Sequence, residues 1–187
     1  MRVIAGSARR LLLKAPPGMT TRPTSDKIKE TLFNMLMPYL YDAEFLDLYS
    51  GSGGIGIEAL SRGASRAVFV ENDKNALKCI RDNIANTHFE NESFVMPMDV
   101  MSALHQLENK SSEYHFDIIF MDPPYEKGYE ENVLTFLSTS KLIDEDSLII
   151  VEASLNTEFD YLENLSFEII KNKEYKNSKH IFIKKCV

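Results

Sequence analysis

Apolar residues along the middle of the chain alternate between short runs typical of buried strands and longer segments spaced for one face of a helix. Five such strand and helix units follow one another from residue 45, with no long linker and no internal repeat. This alternation predicts an α/β fold with a doubly wound, mostly parallel, Rossmann-like sheet covered by helices on both faces. The predicted strands are Phe45–Tyr49, Arg66–Val70, Ser93–Met98, His115–Met121 and Ser147–Glu152, and the predicted helices are Gly54–Arg62, Asp73–Asn86, Val100–Leu107, Tyr129–Ser138 and a short segment near Glu158–Asn164.

The first 40 residues carry a different pattern and predict a small extension, residues 1–40, in front of the α/β domain. Two β-leaning runs, Arg2–Ala5 and Leu11–Lys14, predict a β-hairpin. A cluster of capping residues at 23–26 then precedes apolar residues at helical spacing, which predicts a helix that ends near Pro38.

The end of the α/β domain, which spans residues 41–187, predicts a second hairpin. The runs Leu165–Lys171 and His180–Lys185 are strand-like, and the polar segment Asn172–Lys179 joins them. Because consecutive strands joined by a loop pair antiparallel, we expect the sheet to finish in an antiparallel hairpin.

Charge is distributed unevenly over the 187 residues. The formal net charge is −7, but residues 1–30 carry +5, residues 171–187 carry +5, and the residues between them carry −17. An acidic chain does not bind polyanions indiscriminately, whereas a local basic segment still favours contact with phosphates. We interpret the six C-terminal lysines as solvated side chains of the second hairpin.

Several classes of protein are disfavoured by what the chain lacks. No run approaches the roughly 20 apolar residues of a membrane helix, and the start has no long apolar region, so we expect a cytoplasmic protein. Cys79 and Cys186 do not suggest a disulfide framework, and neither they nor the four histidines have metal-ligand spacing. We therefore expect no metal and no membrane partner.

A glycine-rich loop follows the first predicted strand. Gly51, Gly53 and Gly56 form the pattern GxGxxG between a strand and a helix, where such a loop brings backbone N–H groups close to a ligand. Glu71 ends the next strand, 20 residues after Gly51, and its carboxylate can accept hydrogen bonds from ribose hydroxyls. These features alone are compatible with a nicotinamide dinucleotide or with a plain structural turn.

Asp47 favours a different ligand. It lies at the end of the first strand, directly before the loop, where it would repel a pyrophosphate and attract an ammonium or a sulfonium. Asp99 follows the third strand, where it either recognises an adenine amine or caps the next helix. Acidic residues at three consecutive strand ends favour a nucleoside that carries a cationic amino acid, namely S-adenosyl-L-methionine.

The end of the fourth strand carries the most specific motif, Asp122-Pro123-Pro124-Tyr125. Two consecutive prolines fix a rigid turn, which directs the Asp122 carboxylate and the Pro123 carbonyl toward one point beside the flat ring of Tyr125. Two acceptors and an aromatic plane suit the exocyclic amine of a base. Asp122, Pro123 and Tyr125 are therefore the candidate catalytic residues.

The Asp-Pro-Pro-Tyr motif resembles that of enzymes that methylate exocyclic amines of nucleobases. The stretch Thr21–Asn34, the opening Arg2–Gly6 and the run Asp47–Gly56 are similar to the RsmD family, the 16S rRNA guanine-N2 methyltransferases, and the resemblance spans essentially the whole chain. One position departs from the family pattern. The family commonly has Arg-Gly-Arg in the N-terminal hairpin, where this chain has Arg9-Arg10-Leu11.

The resemblance implies transfer of a methyl group from S-adenosyl-L-methionine to guanine N2, in ribosomal RNA or a small-subunit ribosomal particle. Asp122 and Pro123 would accept hydrogen bonds from the amine while Tyr125 stacks on an extruded base. The basic N-terminal side chains would contact phosphates. The cofactor residues are then Asp47, Ser50, Gly51, Gly53, Glu71, Asn72, Asp99, Val100 and Asp122, and the RNA-binding residues are Arg2, Arg9, Arg10, Lys14 and Arg22.

Three other functions stay open at this point. A DNA adenine-N6 methyltransferase shares the Asp-Pro-Pro-Tyr motif, although 187 residues leave little room for the target-recognition region that such enzymes usually carry. A nicotinamide-dependent oxidoreductase would use the glycine loop but leaves Asp47 without a role. A non-catalytic RNA-binding module with the same fold would leave the acidic strand ends without one.

Overall fold

The computed structural model describes residues 1–16, 26–124 and 127–186. Arg22, Tyr125 and the predicted capping residues 23–25 lie outside these ranges. The described residues contain seven strands: β1 Glu44–Leu48, β2 Arg66–Glu71, β3 Ser93–Pro97, β4 Ile118–Met121, β5 Leu148–Ser154, β6 Phe167–Glu174 and β7 Ser178–Lys185.

The seven strands form one sheet in the order β3-β2-β1-β4-β5-β7-β6. Strands β1 to β5 pair in parallel, and β7 pairs antiparallel with both β5 and β6. This order confirms the predicted doubly wound, mostly parallel sheet with an antiparallel C-terminal hairpin. The carboxyl ends of β1 to β5 meet at one edge, here called the carboxyl edge.

Helices cover both faces of the sheet, as predicted. One core, which contains Leu104 and Leu134, packs two of the helices on the first face, and a second core, which contains Phe33 and Ile80, packs the other three on the opposite face. No helix among the described residues is long and apolar enough to cross a membrane. The helices are α1 Asp26–Leu40, α2 Gly54–Ser61, α3 Lys74–Thr87, α4 Val100–Glu108 and α5 Tyr129–Thr139, followed by a 3-10 helix, Asp160–Leu165.

Strand β4 is shorter than predicted. It begins at Ile118 rather than at His115, because the N–H of Phe116 donates to the Leu142 carbonyl at 2.8 Å and the N–H of Asp117 donates to the Glu44 carbonyl at 3.0 Å. The first bond directs Phe116 toward the loop before β5, and the second joins Asp117 to Glu44, the first residue of β1, so regular strand pairing starts only at Ile118. Phe116 is nevertheless fully buried, so its apolar character reflects packing and not strand pairing.

The C-terminal hairpin has longer strands and a shorter connection than predicted. The polar segment Asn172–Lys179 is mostly strand, and only residues 175–177 connect β6 to β7. Ser178, the first residue of β7, pairs with Ser154, the last residue of β5. The hairpin connection therefore lies at the carboxyl edge of the sheet.

The start of the chain, residues 1–16, here called the N-terminal segment, forms the predicted hairpin in a short form. Its antiparallel pairing consists of the bridge between Arg2 and Leu12 and of backbone hydrogen bonds from Val3 to Leu11, from Arg10 to Val3 and from Leu13 to Met1. Gly6 lies against the end of α2, with a φ of 84°, and a Cβ at this position would lie 1.6 Å from the Ser61 carbonyl oxygen. The Ser7 N–H also donates to that oxygen at 2.8 Å. The segment therefore docks on α2 through a contact that only glycine permits.

A buried ionic cluster holds the N-terminal segment on α1 and α2. Glu58 Oε2 accepts hydrogen bonds from the Ile4 N–H at 2.8 Å and lies 3.1 Å from Lys29 Nζ. Glu58 Oε1 accepts from the Ala5 N–H at 3.0 Å and from Arg62 Nε at 2.7 Å. Burial lowers the pKa of Lys29, and the Glu58 carboxylate opposes that effect. Since loss of one partner would leave a buried charge unpaired, the cluster fixes the segment in one position.

Arg10 occupies a backbone conformation that favours glycine. Its φ is 75°, in the left-handed region. We expect Arg10→Gly to stabilise the protein by about 1 kcal/mol, which corresponds to a melting temperature about 2–4 °C higher. Calorimetry checks this, with Arg9→Gly as the control, because Arg9 lacks a positive φ and should lose stability instead. A melting temperature of Arg10→Gly at or below that of the unchanged protein would contradict the prediction.

Candidate active site at the carboxyl edge

Five carboxylates lie at the carboxyl ends of five adjacent strands. In the order of the sheet they are Asp99 after β3, Glu71 at the end of β2, Asp47 in β1, Asp122 after β4 and Glu152 in β5. The sequence predicted the first four as site residues and missed Glu152. Ligands of open α/β sheets bind outside the carboxyl ends of the strands, so this acidic row is the candidate site.

Asp47 lies beneath the glycine loop and is only 1% exposed. The N–H of Gly56 donates to its Oδ2 at 3.0 Å, and among the described residues this is the one hydrogen-bond donor to the carboxylate. Burial raises the pKa of Asp47 to about 7; the Gly56 bond opposes this rise and the charge of Glu71 adds to it. A cationic ligand would relieve the cost of an ionised carboxylate in this position.

The N–H groups of the glycine loop point at the protein's own acids. Gly51 N–H donates to Glu71 Oε2 at 2.9 Å, and Gly56 N–H donates to Asp47. In a dinucleotide site such groups face a pyrophosphate. Here they are occupied by two carboxylates, which would repel a pyrophosphate. This arrangement disfavours a nicotinamide dinucleotide and favours a ligand with positive charge.

Close approach requires glycine at the start of α2. A Cβ on Gly56 would lie 2.4 Å from the ring of Phe69 in β2, so this glycine lets the helix pack on the sheet. A Cβ on Gly51 would meet no atom within 4 Å, which leaves open space on the outer side of the loop. The loop therefore packs against β2 on one side and leaves open space on the other side, where a ligand would bind.

The remaining predicted cofactor residues shape the edge around this space. The Ser50 hydroxyl donates to the Asp47 carbonyl at 2.6 Å, which ties the loop to β1. Glu71 Oε1 accepts from the backbone N–H of the exposed Asn72 at 2.8 Å. Asp99 caps α4 by accepting the Ser102 N–H at 2.9 Å, and bonds with Ser102 lower the pKa of this exposed carboxyl.

Capping leaves the second oxygen of Asp99 without a hydrogen bond from the described residues. Val100, the first residue of α4, is buried beside it. The helix-cap role that the sequence left open is therefore present, and the free oxygen still permits contact with a ligand.

Asp122 and Pro123 come directly after β4, and Asp122 lies between Asp47 and Glu152 in the order of the acidic row. Asp122 is partly buried and Pro123 is buried. Burial raises the pKa of Asp122 to about 8, and the charges of Glu152 and Asp47 add to the rise. This carboxyl therefore has a strong affinity for a proton, or for a hydrogen-bond donor that takes the place of one.

The sequence analysis missed two features of this edge, a stacked pair of tyrosines and a hydrogen-bonded set of polar side chains. The Tyr49 ring, next to the glycine loop, stacks on Tyr129 at the start of α5, with ring centroids 6.1 Å apart. Glu152 Oε2 lies 3.1 Å from His180 Nε2, and His180 Nδ1 lies 3.2 Å from the Tyr175 hydroxyl. The tyrosine pair could have been noticed, because Tyr49 is an aromatic residue beside the glycine loop. Glu152, His180 and Tyr175, here called the Glu152 group, come from distant parts of the chain and carry no local sequence signal.

The predicted RNA-binding residues differ in their availability. Arg2 pairs with Asp26 at 2.9 Å, and Lys14 pairs with Asp82 at 2.9 Å. Arg9 and Arg10 are exposed and have no ion pair among the described residues. These two arginines are therefore the cations best placed to contact phosphates, while Arg22 lies outside the described residues.

This strand order, with a glycine loop after β1 and an acidic carboxyl edge, defines a Rossmann-like methyltransferase, a class of enzymes whose methyl donor is S-adenosyl-L-methionine. The sequence profile of the family described as Conserved hypothetical protein 95 matches residues 1–184. The chain belongs to this family, the RsmD family.

Individual relatives are similar over most of their length. The YlbH protein of Bacillus subtilis is 41% identical over 152 residues, which cover 81% of this chain and 82% of YlbH. The Ribosomal RNA small subunit methyltransferase D of Escherichia coli K12 is 36% identical over 155 residues, which cover 83% of this chain and 75% of that protein. The solved structure of yhhF from Escherichia coli matches with a TM-score of 0.86 and 30% identity, covering 100% of this chain and 98% of that one.

Proposed function

We propose that this protein transfers the methyl group of S-adenosyl-L-methionine to the exocyclic N2 of a guanine in 16S ribosomal RNA. Relatives named as small-subunit rRNA methyltransferases support ribosomal RNA as the substrate. The Asp122 carboxylate followed by the Pro123 carbonyl supports an amine as the methyl acceptor. The observation that carries the proposal is that the glycine loop donates to Asp47 and Glu71, which makes the cofactor site attractive to a cation.

The residues at the acidic edge fit this cofactor. Asp47 and Glu71 place negative charge beside the open space at Gly51, where the positive groups of the cofactor would be held. The free oxygen of Asp99 would accept a hydrogen bond from the adenine amine, and Val100 would pack on its ring. When bound, the cofactor supplies a methyl group made electrophilic by a sulfonium.

Asp122 and Pro123 have the chemistry that guanine N2 requires. Its lone pair is delocalised into the ring, so the amine is a poor nucleophile. Hydrogen bonds from N2 to the carboxylate and the carbonyl would favour a pyramidal nitrogen and stabilise the positive charge that develops on it. Such positioning contributes on the order of 7–11 kcal/mol of barrier lowering. Tyr125 would stack on the extruded base, worth roughly 1–3 kcal/mol.

Residues 1–40 would orient the RNA while residues 41–187 perform the chemistry. The exposed side chains of Arg9 and Arg10 project from a segment that the Glu58 cluster fixes on α2. Phosphate contacts from such a segment set orientation without sequence preference. The base itself would be selected at the Asp122 site.

Labelled methyl transfer to small-subunit RNA or particles, followed by nucleoside analysis, tests the proposal. We expect N2-methylguanosine, whereas N6-methyladenine formed in DNA would overturn it. Ligand-induced stabilisation separates the cofactors, because S-adenosylhomocysteine at about 100 times its Kd stabilises a folded protein by about 2.7 kcal/mol. A comparable shift with NAD and none with S-adenosylhomocysteine would contradict the cofactor assignment.

A further inference from the structure

A row of polar side chains continues the acidic edge beyond Asp122. Glu152 of β5 pairs with His180 of β7, and His180 pairs with Lys173 of β6. Asp122 directly follows Met121, whose partner in β5 is Val151, the residue before Glu152. Paired residues on adjacent strands point to the same face of a sheet. The ring of Phe120 lies on this face too, 6.1 Å from the His180 ring in an edge-on contact. Glu152 and His180 are therefore held by the sheet itself, while Asp122 follows directly from the end of β4.

Hydrogen bonds hold Glu152 and His180 of this row in place. His180 is fully buried and Glu152 is 7% exposed. Because a carboxylate only accepts, His180 Nε2–H donates to Glu152 over 3.1 Å; in the neutral imidazole this tautomer leaves Nδ1 to accept from the Tyr175 hydroxyl over 3.2 Å. Burial raises the pKa of Tyr175 to about 12, with the charge of Glu152 adding to the rise, so that hydroxyl keeps its proton.

We propose that Glu152, held by His180 and Tyr175, is a positioning residue that fixes a negative charge beside Asp122 and makes Asp122 the acceptor of the proton that the methylated amine releases. This inference rests on the proposed function. As the new nitrogen–carbon bond forms and the bond from the methyl carbon to the departing sulfur breaks, the nitrogen becomes positively charged. It then loses a proton to an Asp122 oxygen, and the electron pair of that N–H bond returns to nitrogen.

The neighbouring charges decide how strongly Glu152 raises the proton affinity of Asp122. Asp122 faces Asp47 from β1 and Glu152 from β5, and both raise its affinity for a proton. Glu152 in turn faces His180 from β7 and Tyr175 from the hairpin connection. Lys173 of β6 also lies on this side, with its Nζ 6.0 Å from the Tyr175 ring. Neutralising Glu152 therefore removes one of the two carboxylates that act on Asp122 and leaves Asp47 in place.

The first test measures the proton affinity of Asp122 in the full-length, ligand-free protein. Carbon-13 NMR of labelled aspartate carboxyls reports each pKa, and the resonance of Asp122 is the one that Asp122→Asn removes. In Glu152→Gln, which can still accept the His180 N–H, we expect the pKa of Asp122 to fall by about one unit. An unchanged pKa would overturn the proposal, and because no RNA or cofactor is present, this result does not depend on the proposed function.

Two tyrosine variants test the support that holds Glu152. Tyr175→Phe removes the donor to His180, so we expect a smaller shift of the Asp122 pKa in the same direction. Tyr161→Phe is the matched control, because the buried Tyr161 hydroxyl has no hydrogen-bond partner among the described residues. Equal shifts in the two variants would contradict a specific role for Tyr175.

The methyl-transfer assay then separates positioning from a merely structural role. In Glu152→Gln the rising limb of kcat/KM against pH should move to lower pH, while the Kd for S-adenosylhomocysteine stays the same. A loss that is uniform at every pH, or a matching loss of cofactor affinity, would overturn the inference.

Discussion

Asp122→Ala is expected to lower kcat by about 10²–10³-fold while the protein keeps its affinity for S-adenosylhomocysteine. The carboxylate follows β4, between Asp47 and Glu152 in the acidic row, where it would accept a hydrogen bond that strengthens as positive charge develops on the amine. The cofactor charge would be held mainly by Asp47 and Glu71 on β1 and β2. Single-turnover methyl transfer and calorimetric titration measure the two quantities separately.

Asp122→Asn is the informative companion, because its amide oxygen still accepts a hydrogen bond but carries no charge. We expect Asp122→Asn to retain more activity than Asp122→Ala and to change the dependence of kcat/KM on pH. Because the pKa of Asp122 is raised to about 8, kcat/KM of the unchanged protein should rise as the pH approaches that value. The rise of kcat/KM toward pH 8 should be absent in Asp122→Asn. A rise near pH 7, which ionisation of Asp47 would cause, should persist.

Stability distinguishes a catalytic effect from misfolding. The pKa of Asp122 is higher in the folded state than its ordinary 3.8, so folding takes up a proton between pH 3.8 and about 8. Stability therefore falls as the pH rises through this window, and Asp122→Asn removes that cost. At pH 8 its melting temperature should equal or exceed that of the unchanged protein. Unaltered turnover in a well-folded Asp122→Ala protein would remove Asp122 from the mechanism.

The local pattern of the sequence was sufficient to predict the alternating elements and the positions of Asp47, Glu71, Asp99 and Asp122, because strand ends in a parallel sheet share one edge. It was not sufficient for residues 115–117, which precede β4: buried Phe116 suggested strand, but its N–H donates to the Leu142 carbonyl in a loop distant in sequence. Periodicity records burial, and burial by a neighbouring loop gives the same signal as burial in a sheet.

The contact between Glu152 and His180 shows a second limit of prediction from local sequence pattern. Glu152 and His180 are 28 positions apart, and their contact follows from the pairing of β5 with β7. A single glutamate in an apolar strand and a single histidine in another carry no signal until that register is known. The antiparallel hairpin was predicted, but its register required the true bounds of β6 and β7.

The double variant Arg9→Ala/Arg10→Gly is expected to weaken RNA binding about tenfold at moderate salt, with little effect on cofactor affinity. Deletion of residues 1–20 would be a poor test, because it removes the buried Val3 and leaves the buried Glu58 and Lys29 without their backbone partners. The double variant removes two exposed charges and leaves the docked segment intact. Arg10→Gly also relieves the left-handed backbone, so a loss of binding cannot be attributed to unfolding.

The salt dependence of binding identifies the kind of contact. If both arginines contact phosphates of a single strand, the slope of log K against log salt should decrease by about 1.4. Lys110→Ala/Lys141→Ala is the matched control, since these exposed lysines precede β4 and β5 and lie at the opposite edge of the sheet. A decrease of equal size in the control would mean that RNA responds to the overall charge of the protein and not to the N-terminal segment. A decrease confined to the arginine variant, with methyl transfer restored by raising the RNA concentration, would assign orientation of the RNA to residues 1–16 and chemistry to the carboxyl edge.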